Sequence, residues 1–341
     1  MTQHLGIDLG VTNLKWAVVE HDAGEWRTLA EGQTPTLALE GPEAVIGRLI
    51  DLARSSVERW SAIASIGLGV PGLYDPARGA TTFLVNMPGA WAGRLVGPPV
   101  EAALGLPTCL INDARAFGLA ELRLGAGRGA ESLVGLTLGT GVGGVIAIDG
   151  KVRLGRDGTA GELGHQTIDP DGPLCGCGNR GCVEAFARAD RIAAACGTST
   201  AEEAVAAAKA GNAQAIEGLT QIGRYLGIGV ANAVTVISPD RVVIGGGIAA
   251  AGDLLLDPIR AELELRVQTT SVDAVTVVTA ELGTWAGAIG AAVHGAEQAA
   301  EQAAERAADA EAAARPEVAA RPEVAGVDPT PAAAAPASRA P

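Results

Sequence analysis

The sequence has no run of about 18 apolar residues free of charges and glycine clusters, so no membrane-spanning helix is expected. It does not open on a basic segment followed by a long apolar stretch either. Met1-Thr2-Gln3-His4 leads directly into a short strand-like run, which is not the pattern of a secretory signal. Basic charge is in deficit: 25 Lys and Arg stand against 39 Asp and Glu, a formal net charge of -14. Such a chain lacks the clustered cations that neutralise nucleic-acid phosphates, and a helix-turn-helix would need room ahead of the first strand, where only Met1 to Gln3 stand. Five cysteines, three of them between Cys175 and Cys182, do not make a disulfide framework in a chain of 341 residues. These absences together lead us to expect a soluble, cytoplasmic protein with no nucleic-acid or membrane partner, whose clustered cysteines bind a metal.

What is present is apolar residue in quantity. At 341 residues and 48% hydrophobic content, the chain can bury a sizeable core, and its length points to two domains with a cleft between them. Leu5 to Gly10 reads as a strand, Leu14 to Glu20 as a second joined to it by the turn Val11-Thr12-Asn13, and Trp26 to Gln33 as a third. Helical periodicity runs from Pro42 to Trp60, with Val45, Ile46, Leu49, Ile50, Leu52 and Ala53 on one side. Ser65 to Val70 reads as a buried strand closed by Pro71-Gly72, and Thr108 to Ile111 as another that ends at Asn112-Asp113.

The same grammar returns later. Gly135-Leu136-Thr137-Leu138-Gly139 matches Gly6-Ile7-Asp8-Leu9-Gly10 at both glycines and both outer apolar positions, which hints at an internal duplication. Gln214 to Val236 and Asp253 to Leu265 read as helices, with a strand from Arg241 to Ile244 between them. From about Ala296 the composition shifts. Glu297, Glu301, Glu305 and Asp309 recur every four residues among alanines, a spacing that can be helical but sets like charges on one face. The repeat Arg315-Pro316-Glu317-Val318-Ala319 and Arg321-Pro322-Glu323-Val324-Ala325 and the Ala/Pro end offer little to bury, so residues 312–341 are expected to be disordered.

A strand that ends in glycine and enters a tight turn leaves backbone N–H groups free for phosphate oxygens. Asp8 lies beside the first such turn, where a carboxylate can hold Mg2+ directly or through water. Two ordinary hairpins are the alternative, because glycine is the default turn residue. The second turn, Gly139-Thr140-Gly141-Val142-Gly143-Gly144, also satisfies G-x-G-x-x-G. A dinucleotide-binding site needs a helix next, however, and here the β-type run Val145 to Ile148 follows. A phosphate-binding P-loop is excluded because no G-x-x-x-x-G-K-[ST] occurs.

Gly161-Glu162-Leu163-Gly164-His165 precedes Cys175-Gly176-Cys177-Gly178-Asn179-Arg180-Gly181-Cys182-Val183-Glu184. His165, Cys175, Cys177 and Cys182 make a Cys3His set, the closed tetrahedral shell of structural zinc rather than of a metal that activates water. Glu162 and Glu184 bracket that set, so a metal loop brings two distant acids together. Paired carboxylates accept hydrogen bonds from vicinal hydroxyls, which is how a site recognises a sugar. His165 can bind metal through one ring nitrogen and offer the other to a hydroxyl.

Asp8 to Lys15, Gly69-Val70-Pro71-Gly72, Asn112-Asp113, Gly139 to Gly144, Glu162 to His165 and the Cys175 to Glu184 box together resemble the ROK family (repressor, open reading frame, kinase), and within it the bacterial glucokinases. The likeness runs from about Leu5 to Gly295 with the motifs in family order. It implies an α/β, two-lobed, actin-like (ribonuclease-H-like) ATPase fold with nucleotide and sugar in the interlobe cleft. The lobes would be 1–115, rejoined by a helix near 285–300, and 116–284, which carries the zinc loop.

The resemblance further implies that Asp113 is the base facing the sugar 6-hydroxyl and that Asn112, Glu162, His165 and Glu184 hold the sugar, with Asn86 in a loop nearby. Gly10, Thr12, Gly139, Thr140 and Gly141 would surround the phosphates, Asp8, Asn13 and Lys15 belong to the same nucleotide side, and Gly245-Gly246-Gly247 would lie near the adenosine. The implied reaction is ATP-dependent phosphorylation of a hexose, glucose to glucose 6-phosphate, with Mg2+ and a structural Zn2+, in a homo-oligomer. A kinase for another hexose or an N-acetylhexosamine, and a non-catalytic sugar-binding regulator, are the alternatives. Val11 and Val145 stand where the family usually has glycine. A β-branched residue disfavours positive φ, so the turn at Val11 must use an ordinary backbone region or carry strain.

Overall fold

From His4 to Ile7 every side chain is buried, the mark of a strand covered on both faces. This strand, β1 (Thr2–Leu9), begins a meander with β2 (Asn13–Asp22) and β3 (Glu25–Pro35). Next come α1 (Pro42–Arg59), with proline at its first turn, β4 (Ile63–Val70), the hairpin β5 (Gly72–Asp75) and β6 (Ala80–Leu84), α2 (Gly97–Leu104) and β7 (Thr108–Asn112). The first sheet has the order β3-β2-β1-β4-β7. Its three meander strands are antiparallel, while β4 and β7 run parallel to β1.

The chain continues through α3 (Asp113–Leu124), β8 (Leu133–Leu138), β9 (Val142–Ile148), β10 (Lys151–Val152), α4 (Val183–Ala187), α5 (Ala189–Cys196), α6 (Ala201–Lys209) and α7 (Ala213–Ile237). It ends with β11 (Arg241–Gly246), α8 (Asp253–Arg266), β12 (Thr276–Thr279) and α9 (Ala286–Ala314). The second sheet has the order β10-β9-β8-β11-β12, again an antiparallel meander followed by two strands parallel to its first. Thus β1 and β8, which carry the matching glycine patterns, hold the same place in two sheets of one topology. This supports a duplication that the five-residue likeness only hints at.

α1 and α2 share a core with the first sheet, including Leu5, Ile7, Val45, Leu49 and Val100. α7 and α8 share another with the second sheet. A third core joins Ala17, Val19 and Ile111 of the first sheet to Val145 and Val243 of the second through α3 and α9. α9 lies so close to β1 and β4 that a Cβ on Gly6 or Gly67 would overlap its backbone at Ala288 or Ala291.

This computed structural model describes residues 1–84 and 86–314. Met1–Glu301 form one compact body. α9 runs to Ala314, so the expected disorder does not begin at residue 312, and the rest of that expected tail, 315–341, lies outside the described residues. Among the described residues no helix is long and apolar enough to cross a membrane.

Candidate functional site

The site grows from the ends of three strands. Asp8 is the penultimate residue of β1 and pairs across the hairpin with Lys15 of β2. Burial and then the charge of Asp113 push its carboxyl from an ordinary 3.8 to about 7, partly offset by Lys15. The turn after it is tied internally. The Gly10 N–H donates to Asp8 O at 3.2 Å and Asn13 O at 3.1 Å, and the Thr36 hydroxyl donates to Gly10 O at 2.6 Å. Val11 is not among the non-glycine residues of positive φ, which are Ala23, Leu37, Asn86, Asp149 and Ser238, so its turn avoids left-handed strain.

β7 ends at Asn112, whose Oδ1 caps α3 by accepting from the N–H groups of Ala114 at 3.0 Å and Arg115 at 3.2 Å, while its Nδ2 donates to Gly72 O at 3.0 Å. Asp113 is the first residue of α3. Its Oδ1 accepts from Ala114 N–H at 2.8 Å. Burial pushes the Asp113 carboxyl from 3.8 to about 6. The Ala114 hydrogen bond and the Arg115 charge work against this, and the Glu162 charge adds to it.

The second glycine turn follows β8. Gly139 N–H is taken by Gly141 O at 2.9 Å and Val142 N–H by Glu184 Oε2 at 3.0 Å, and among the described residues no acceptor is found for the N–H groups of Thr140 and Gly141. Gly245 and Gly246 end β11 beside Thr137 and Leu138 of β8. Gly246 has φ 86°, and a Cβ there would overlap the Leu138 carbonyl. Val145 is fully buried, and its side chain fills space that would belong to a Cβ on Gly118 or Gly135.

The ligand atoms of His165, Cys175, Cys177 and Cys182 all lie within 4.8 Å of one another. Cys175 Sγ is 3.7 Å from His165 Nδ1, and Cys177 Sγ is 3.8 Å from Cys182 Sγ. A tetrahedral ion with bonds of about 2.3 Å to sulfur has S···S edges of about 3.8 Å, so the spacing and the soft donor set fit such an ion. His165 Nε2 points to Glu162 Oε2, 3.9 Å away.

A cavity of about 600 Å³ collects these groups. Val11, Asn86, Asn112, Asp113, Gly139, Thr140, Gly141, Glu162, His165, Cys177 and Glu184 line it. Asp8, Gly10, Thr12, Asn13, Lys15 and Gly245 to Gly247 do not, although the charges of Asp113 and Lys15 both act on the Asp8 carboxyl. Asn86 reaches the wall from a left-handed backbone, φ 59°. Trp91 is buried, with its indole N–H donating to Pro88 O at 2.9 Å, as a packing residue is. The reading of the sequence missed Arg115, a buried guanidinium bonded to Asn112 and Glu162. Its only local signal is a place three residues after Asn112, on the same face of the helix start.

The sequence model of the ROK family matches residues 4–298. The chain is 33% identical over 311 residues to the glucokinase of Halalkalibacterium halodurans, covering 84% of this chain and 93% of that protein. It is 34% identical over 299 residues to the N-acetylmannosamine kinase of Citrobacter koseri, covering 85% and 97%. A xylose repressor of Bacillus subtilis is more distant, at 26% identity over 84% of this chain and 75% of its own length. Among solved structures, the ROK hexokinase of Thermus thermophilus superposes with a TM-score of 0.76 at 35% identity, covering 88% of this chain and 100% of that one. The ROK family glucokinase of Streptomyces griseus, solved with glucose and AMPPNP, gives 0.73 at 30% identity, covering 86% and 99%.

Proposed function

This chain belongs to the ROK family and has the actin-like fold of its sugar kinases, and from that membership and the geometry of its cleft we propose that it transfers the γ-phosphoryl group of ATP to a hexose, converting glucose to glucose 6-phosphate. The observation that carries the reading is the cavity itself. It is lined both by Asn112, Asp113, Glu162, His165 and Glu184 and by the glycine turn, where the N–H groups of Thr140 and Gly141 have no acceptor among the described residues. Acceptors for hydroxyls and donors for phosphate oxygens thus share one cavity of about 600 Å³, room for a sugar together with the phosphates of a donor.

The reaction needs little covalent work from the protein, because phosphoryl transfer is catalysed mainly by positioning and charge stabilisation. The sugar 6-oxygen forms a bond to the γ-phosphorus as the bond from that phosphorus to the bridging oxygen of ADP breaks. Asp113 orients the hydroxyl and takes its proton as the new bond forms. It does not deprotonate the alcohol beforehand, since the pKa gap is on the order of ten units. Glu162 and Glu184 accept from other hydroxyls and fix which face of the sugar is presented. Mg2+, for which the half-buried Asp8 carboxylate offers a hard oxygen, would neutralise charge on the donor phosphates. Zn2+ in the Cys3His set would hold the loop that carries His165 and leads into Glu184. None of the five cysteines is in a disulfide, which supports a location in the cytoplasm.

A second reading, phosphorylation of an N-acetylhexosamine, has support from the 34% identity to the Citrobacter koseri kinase. A coupled assay of ADP release across glucose, mannose, fructose, N-acetylglucosamine and N-acetylmannosamine distinguishes the two. Preference for glucose is expected. Release with none of these sugars would sink the kinase reading and favour a sugar-binding regulator.

A further inference from the structure

Among the described residues, Arg115 is the bulkiest side chain that the fold encloses, at 1% exposure. A guanidinium withdrawn from water is tolerated only where its donors find acceptors and its charge is matched. Here Nε donates to Ala160 O at 3.1 Å, Nη1 to Asn112 Oδ1 at 3.0 Å and Nη2 to Glu162 Oε1 at 2.7 Å. The acceptors come from two parts of the chain. Asn112 ends β7 of the first sheet, whereas Ala160 and Glu162 lie on the segment that leaves β10 of the second and leads to His165.

The fork therefore ties the strand end next to Asp113 to the segment that carries Glu162. It occupies one oxygen of Glu162 and leaves Oε2, on the side of His165 Nε2, to accept from a ligand. Resting on the kinase reading above, the geometry points to Arg115 as a positioning residue, whose planar fork holds the Glu162 carboxylate in register with Asn112 and Asp113 so that sugar and base share one rigid frame. Lysine cannot replace it. An ammonium is a point charge on a flexible stem and does not make three bonds in one plane.

Arg115→Lys keeps the charge and removes the fork. Losing a charge-assisted bond to Glu162 should raise the sugar KM by roughly ten- to a hundredfold and leave the ATP KM within about threefold. A merely structural role would lower the Tm and the yield of active enzyme but leave the sugar KM of the folded fraction unchanged. If Arg115 acts through Glu162, the Arg115→Lys/Glu162→Gln double variant should have a sugar KM within about threefold of the worse single variant, and effects that multiply independently overturn the assignment.

Should Arg115→Lys not fold, NMR of the wild type carries the test. The Arg115 Nε–H signal should exchange slowly with water and shift on saturation with glucose, and a fast-exchanging or unmoved signal overturns the assignment. A wild type that phosphorylates no sugar removes the kinase reading and this inference with it. An active wild type with an unchanged sugar KM in Arg115→Lys removes this inference alone.

Discussion

Replacing Asp113 by Asn separates shape from proton acceptance at the centre of the site. The side-chain oxygen of Asn can still accept from Ala114 N–H, a bond of 2.8 Å in the structure. α3 should also stay intact because its cap is Asn112 and not Asp113. With the Asp113 carboxyl at about 6, the wild-type base is almost wholly ionised at pH 7.5 and ready to accept. Asn is not, so kcat should fall by about a hundredfold or more, the usual contribution of a positioned base. The sugar KM should change by no more than about threefold, since Glu162, His165 and Glu184 remain.

Stability should move the other way. A carboxyl raised from 3.8 to about 6 by burial binds its proton more tightly folded than unfolded, so ionising it costs stability as pH rises from about 4 to about 6. A shift of about two units corresponds to at most about 3 kcal/mol, and residual solvent contact reduces it. Asp113→Asn should therefore raise the Tm at pH 7.5, with the gain shrinking as pH falls toward about 4. ADP release measures kcat and KM, and calorimetry at the two pH values measures the rest. Turnover within tenfold of wild type would refute the mechanism, and a lower Tm at pH 7.5 would refute the electrostatic argument.

Three further outcomes are expected. Because the base works only when ionised, kcat should decline on the acid side with a midpoint near pH 6, the position of the Asp113 carboxyl; a profile flat from pH 5 to 8 would count against Asp113. The purified protein should hold about one zinc per chain, and Cys177→Ser should release it, lower the Tm and weaken sugar binding, because the same loop aims His165 and Glu184; active protein with no metal by elemental analysis would end this idea. Gly118→Ala should destabilise by roughly 1–3 kcal/mol, since the new methyl overlaps the Val145 side chain, and Val145→Ala in the same chain should recover most of that; strictly additive losses on thermal unfolding would show that the two positions do not compete.

Periodicity and turn chemistry carried much of the architecture. The strand-like runs and the turn between them around Leu5 to Glu20 read as the hairpin of β1 and β2, and the helical periodicity of Pro42 to Trp60 reads as α1, because both arise from neighbours within a few residues. The nearness of Cys175, Cys177 and Cys182 is legible for the same reason. Where long stretches of chain must meet, reading failed or stayed silent. Arg115 is bonded to groups 45 and 47 residues away, Ala160 and Glu162, and nothing within its own helix turn announces them. Val145 reads as a departure from a glycine pattern, yet it is accommodated by the absence of side chains on Gly118 and Gly135.

The sequence by itself determined the strands around the two glycine turns, the spacing of the cysteine cluster and the acids that flank it, since those relations are set by short stretches of chain. Only the tertiary structure decided that two sheets share one order, that α9 reaches Ala314, that Val11 turns without left-handed strain, and which oxygen of Glu162 is left for a ligand. Those depend on burial and on bonds between distant segments, whose energies come into being when the segments are brought together and are not encoded in any short window of residues.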